Sequence, residues 1–164
     1  MKKLKFFLIV TMLISMCSCT KKEPYQQIEI CMDELKEKIE NKESFNFMVI
    51  RDQCDFCQAL KNYIDLTSQE HDGVILYTID STDFGFKREK EEDLLTSDTE
   101  DGQALLNLCP YFLYTPSIYT VEEGKIVTSG IGFDDLSKSV SVWDLDSFVD
   151  FNEAQQVEFW DFIS

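Results

Sequence analysis

Apolar and polar positions along the chain fall into blocks whose period switches between helical and strand-like, and the order of those blocks outlines a fold. Residues 27–30 read as a short strand, and Met32–Glu40 as a helix with Met32, Leu35 and Ile39 on one stripe. Residues 45–50, FNFMVI, form a compact apolar run suited to a strand buried on both faces. The polar segment Arg51-Asp52-Gln53-Cys54-Asp55-Phe56-Cys57 follows, after which Ala59, Leu60, Tyr63, Ile64 and Leu66 recur at helical intervals until Gly73. Residues 74–80 predict another strand. Residues 81–103 are polar, centred on the charge run 87–93, and read as a solvated insertion that is partly helical. A short helix over 104–109 ends at Pro110. Alternation over 117–122 and 125–129 around Glu123-Gly124 predicts a hairpin. A final helix is expected from Asn152, with Gln155 completing a capping box and Val157, Trp160 and Phe159 or Ile163 facing inward. The order βαβα…ββα defines an α/β protein with a central mixed sheet flanked by helices.

The N-terminus follows a different logic. Residues 1–19 carry three lysines, an apolar run from Phe6 to Ile14 and then small or sulfur-bearing residues. The run is about half of the roughly 20 residues needed to cross a bilayer, which points to an export signal. Cys19, preceded by Ser18, resembles the lipid-attachment cysteine of bacterial lipoproteins, although Met16 and Cys17 stand where Leu and Ala or Ser are commoner. Plain secretion and a cytosolic leader are the alternatives. The expected organisation is a signal peptide over 1–18, lipid attachment and tether over 19–27, and one folded domain over 28–164, held at the outer face of the cell membrane.

Composition narrows the chemistry. The 164 residues hold 15 Lys plus Arg against 31 Asp plus Glu, a formal charge of −16, which disfavours nucleic acid and polybasic membrane docking. Loss of Lys2, Lys3 and Lys5 with the signal takes −16 to −19. With 44% hydrophobic and 13% aromatic residues the chain can bury a core. A solitary His71 would have to carry any His-dependent site alone; beside Asp72 at a helix end it is given no catalytic role.

Cys54-Asp55-Phe56-Cys57 directly follows a buried strand and opens a helix, so Cys54 faces unpaired N–H groups that favour thiolate. Thr115-Pro116-Ser117 enters a strand some sixty residues later, and the hairpin turn at Glu123-Gly124-Lys125 leads to Gly130 and Gly132. Together these features resemble the thioredoxin superfamily, in particular exported thioredoxin-like proteins such as bacteriocin transport accessory proteins. The resemblance implies a thioredoxin-like fold with insertions at about 81–103 and 133–151. It also implies thiol–disulfide exchange without a cofactor or metal, with Cys54 as nucleophile, Cys57 as resolving cysteine in a Cys54–Cys57 disulfide, and Thr115 and Pro116 against the substrate. Substrates would be exported protein or peptide disulfides, served by a redox partner. For Pro116, a cis bond and an ordinary trans proline at an edge strand both remain open. The chain departs from the family at Gln53, where Trp is common, at the Asp-Phe dipeptide, and at Met48, where thioredoxin buries an acid.

Asp52 and Asp55 oppose thiolate, with Arg51 and Lys61 as partial offsets, which favours a reductase or isomerase over a strong oxidant. Cys31 and Cys109 can pair, join a metal site with Cys54 and Cys57, or be small buried side chains. Residues 131–164 interleave eight acids with seven aromatics, either a partner surface for a basic peptide or a packed segment with its acids in water. The rival to exchange chemistry is a non-catalytic binding lipoprotein in which Cys54–Cys57 is a structural staple.

Overall fold

A computed structural model describes residues 23–90, 93–112 and 114–164, so the expected signal peptide and Cys19 lie outside the described residues. Strand β1 (Gln26–Glu29) leads through helix α1 (Met32–Glu40) to β2 (Phe45–Ile50), and helix α2 (Asp55–Thr67) leads on to β3 (Ile75–Asp80). Helix α3 (Glu100–Leu108) precedes β6 (Ser117–Glu122), β7 (Lys125–Asp134), β8 (Ser139–Trp143), β9 (Gln155–Glu158) and helix α4 (Phe159–Ile163). Between β3 and α3 lies a separate hairpin, β4 (Phe86–Lys87) with β5 (Thr96–Ser97). The main sheet runs β1-β3-β2-β6-β7-β8-β9. β1 and β2 are parallel to β3, and every pairing from β2–β6 onward is antiparallel.

Strand alternation divides the core into two layers. Phe47 and Val49 of β2 pack with Met32, Leu35, Leu105 and Tyr119 on one face. Met48 points the other way, against Leu60, Ile64, Phe159, Trp160 and Ile163. β2 is therefore covered on both sides, which is why its sequence is a continuous apolar run.

Three parts of the chain differ from the sequence pattern. The helix expected from Asn152 is instead a turn followed by β9, with Val157 opposite Val140 of β8, and α4 begins only at Phe159. Asp150, not Gln155, organises the turn, its carboxylate accepting from the Asn152 N–H at 2.9 Å. Glu158 then caps α4 through the N–H groups of Trp160 and Asp161, and Phe159, Trp160 and Ile163 do face inward. The insertion expected at 133–151 is built as the end of β7, strand β8 and a polar loop. Within 81–103, α3 starts at Glu100 because the Thr99 hydroxyl accepts from the Gly102 N–H at 3.0 Å, an N-cap that the charge run hid.

Tyr63 of α2 donates to Glu158 Oε1 at 2.6 Å, tying that helix to β9; burial and this carboxylate push the Tyr63 hydroxyl up to about 12. Phe159 is fully buried where these elements meet. Phe159→Ala is expected to cost about 3–5 kcal/mol, read as a lower urea midpoint with little change in slope.

Candidate active site

The site begins where β2 leaves the sheet. The Ser81 N–H and hydroxyl both donate to the Ile50 carbonyl, at 2.8 and 2.9 Å, and the Asp52 N–H donates to the Thr82 hydroxyl at 2.8 Å. Thr82 is in turn held by the Asp80 carboxylate. The end of β3 thus clamps the loop carrying the dithiol. Gln53 takes a positive φ of 54°, and Cys54 becomes the N-cap of α2. No motif marks Asp80, Ser81 or Thr82 for this task, since their value lies in the parallel register that places β3 beside β2.

Cys54 and Cys57 are joined as a disulfide, with Cα atoms 5.2 Å apart. Cys54 Sγ accepts from the Cys57 N–H at 3.1 Å and from the Thr115 hydroxyl at 3.3 Å, and lies 3.2 Å from the Thr115 carbonyl oxygen. The Thr115–Pro116 peptide bond is cis, deciding between the two alternatives for that proline. Cys54 is half-buried, whereas Cys57 is 9% exposed and faces the core. The first sulfur is therefore the one an outside molecule can reach. The Cys57 N–H at the helix N-terminus and the Thr115 hydroxyl both point at it, donors that stabilise charge on sulfur.

A hollow of about 380 Å³ lies beneath the pair, lined in part by Met48, Ile50, Asp52, Cys57 and Lys61. Lys61 is engaged by Asp65 at 2.6 Å, so its charge is directed along α2 rather than toward Asp55. Met48 fills the strand position behind the dithiol with an apolar side chain. Asp52 and Asp55 are the carboxylates lining this hollow.

The other candidates separate cleanly. Cys31 is an exposed N-cap of α1, with its N–H donating to Glu34 at 2.8 Å; this bond holds the Glu34 carboxyl below its usual range. Cys109 is a buried C-cap of α3. Both are unpaired, and no group of three or more His, Cys, Asp or Glu side chains able to hold a metal is found among the described residues. His71 stacks on Trp160 with ring centroids 4.0 Å apart, while the Trp160 Nε1–H donates to Thr67; its role is packing. Three of the eight acids of 131–164 are spent on turns: Asp134, Asp144 and Asp150 each accept from a backbone N–H two residues on. The aromatics divide, Phe133, Phe159 and Trp160 being buried and Phe148 and Phe151 exposed.

A mixed sheet ordered β1-β3-β2-β6-β7, a dithiol capping the helix after β2 and a cis-proline entering β6 define a thioredoxin-like fold with a CxxC site. Among solved structures the chain is similar to thioredoxin f2 of Chlamydomonas reinhardtii, at 13% identity over 65% of this chain and 83% of that one, with a TM-score of 0.44. It is also similar to spinach chloroplast thioredoxin f, at 12% identity over 68% and 86%, TM-score 0.45. The thioredoxin of Malassezia sympodialis, Mala s 13, matches at 13% identity over 69% and 85%, TM-score 0.44. No protein-family model and no curated protein matches the chain. The fold assignment rests on the strand order and site geometry above.

Burial pushes the Cys109 thiol up from its ordinary 9.0 to about 12. In the folded, reduced protein at pH 8, iodoacetamide should therefore modify Cys54 and Cys31 and leave Cys109 untouched until denaturant is added, as read by mass. Because the unfolded thiol ionises first, this group's contribution to stability is full below pH 9 and is lost as pH rises from about 9 to about 12.

Proposed function

We propose that the protein is a thiol–disulfide oxidoreductase acting through Cys54 and Cys57 on exported protein or peptide disulfides. The observation that carries this reading is the position of Cys54 Sγ: it caps α2, accepts two hydrogen bonds and sits against Thr115 at the surface, while Cys57 stands behind it. In the reducing direction, Cys54 thiolate attacks one sulfur of a substrate disulfide, forming a mixed disulfide and releasing the other substrate sulfur as a thiolate that takes up a proton. Cys57, after losing its proton, attacks Cys54 Sγ; the Cys54–Cys57 bond forms, the mixed disulfide breaks and the second substrate thiol leaves. Two electrons pass to the substrate, and a dithiol redox partner must return them. Thr115 and Pro116 are assigned to orient the incoming chain beside Cys54.

Reduction or isomerisation is favoured over strong oxidation because no basic residue stands between the sulfurs while Asp55 does, and Lys61 is engaged elsewhere. Negative charge near the thiolate raises the energy of the reduced form and makes the pair more reducing. The apolar Met48 leaves the proton of Cys57 to the hollow beneath it, where Asp52 and Asp55 are the carboxylates within reach of the lining. Export with lipid attachment at Cys19 places this chemistry at the outer face of the membrane, as the leader 1–18 suggests, and fits an accessory role toward exported peptides.

Equilibration in graded thiol–disulfide buffers, followed by alkylation and mass analysis, tests the exchange reading. The pair should open reversibly at a potential below about −180 mV. Cys57→Ser should accumulate a mixed disulfide that Cys54→Ser cannot form. A pair that stays closed until the protein is denatured would instead identify a structural staple. For the anchor, Cys19→Ser should abolish incorporation of labelled lipid and shift the protein from the membrane fraction to the medium.

A further inference from the structure

A second and larger hollow, sharing Asp55 with the first, is a groove of about 660 Å³ running from α2 past Thr115 to β7 and β8. Three exposed rings line it together: Phe56 is 62% exposed, Tyr114 37% and Phe151 45%. Phe56 lies between the two cysteines in sequence. Tyr114 and Phe151 meet edge to face with centroids 5.4 Å apart, and the buried Phe133 closes the interior. Exposed aromatics gathered at one opening mark a recognition surface more often than scattered ones do.

Gly132, on the wall of the groove, has φ +71°, a left-handed conformation that disfavours a side chain, and donates its N–H to the Pro116 carbonyl at 2.8 Å. The polar groups of the floor are already matched to one another: the Gln156 amide donates to Ser141 at 2.8 Å and accepts from Ser139 at 3.1 Å. They ask nothing of a guest, so the interior suits an apolar side chain.

Charge supplies the other half of the specificity. Asp55, Asp134 and Asp135 line the groove, and no basic residue does. Lys138, the nearby cation in sequence, is paired with Asp135 at 2.6 Å. Hydrogen bonds from the Leu136 N–H and the Ser137 hydroxyl hold the Asp134 carboxyl below its usual range.

We propose that this groove selects an extended cysteine-containing peptide segment bearing an aromatic or large aliphatic side chain next to the reacting cysteine and a Lys or Arg beyond it. The assignment rests on the exchange reading of Cys54 and Cys57 and specifies the substrate class of that site. The apolar side chain enters between Phe56, Tyr114 and Phe151, and the cation meets Asp134 at the rim, Asp135 being held by Lys138. The walls at Phe151 and Gln156 come from the segment after β7.

The test compares rates at which the reduced protein reduces disulfide peptides of equal length carrying Phe-Arg, Ser-Arg, Phe-Glu or Ser-Glu beside the cysteine. Each rate is divided by that for bis(2-hydroxyethyl) disulfide, which cannot fill the groove. The Phe-Arg peptide should exceed Ser-Glu by about tenfold, the equivalent of 1.4 kcal/mol, with the Arg-over-Glu part shrinking between about 50 mM and about 500 mM salt. Phe151→Ala should erase the Phe preference and Asp134→Asn weaken the Arg preference, each read as a ratio. Equal normalised rates across the panel, or a preference for Glu, overturn the groove assignment while leaving exchange intact. Failure to reduce any of the disulfides, the small one included, overturns both.

Discussion

The antiparallel register of β2 against β6, with Val49 opposite Ser117, is the constraint on which the site depends. Cys54 and Thr115 are sixty-one residues apart in sequence and are brought into contact because the strands that precede and follow them are paired in this register. A slip of one residue would move Thr115 along β2 and would also exchange Phe47 and Val49 with Met48 between the two core layers. The packing that buries β2 on both faces and the contact that places a donor on Cys54 are thus specified together. Close positioning of the dithiol is a by-product of burying the strand.

The remaining supports act on the same two ends. Ser81 and Thr82 hold the exit of β2 from the β3 side, and the Gly132 N–H holds Pro116 from the β7 side. The chain after Gly132 adds β8 and β9, which extend the sheet and carry Phe159 and Trp160 onto the layer that includes Met48. One segment therefore both thickens the core beneath α2 and walls the groove beside the dithiol.

How far this was legible in the sequence depends on whether a residue's role is local. The FNFMVI run, the CxxC that follows it and the Thr-Pro before β6 are local signals, and the structure assembles them as their order implies. Gln155–Glu158 was misread because its amphipathic pattern is short and its partner, Val140, lies seventeen residues upstream; only pairing decides in favour of a strand. The Thr99 cap was masked by the acids around it. Phe151, Gln156, Asp80 and Thr82 carry no motif at all, since their importance comes from neighbours that are distant in sequence.

The two outermost strands give the sheet a further property. β1 and β9 are four residues each, QQIE and QQVE, and glutamine and glutamate occupy three of four places in both. Short polar borders of this kind offer little apolar surface to a second copy that might add itself to the sheet. The formal charge of −16 adds repulsion between copies to these polar borders. The cis-proline segment beside Cys54 lies in the middle of the sheet order, away from both of these borders.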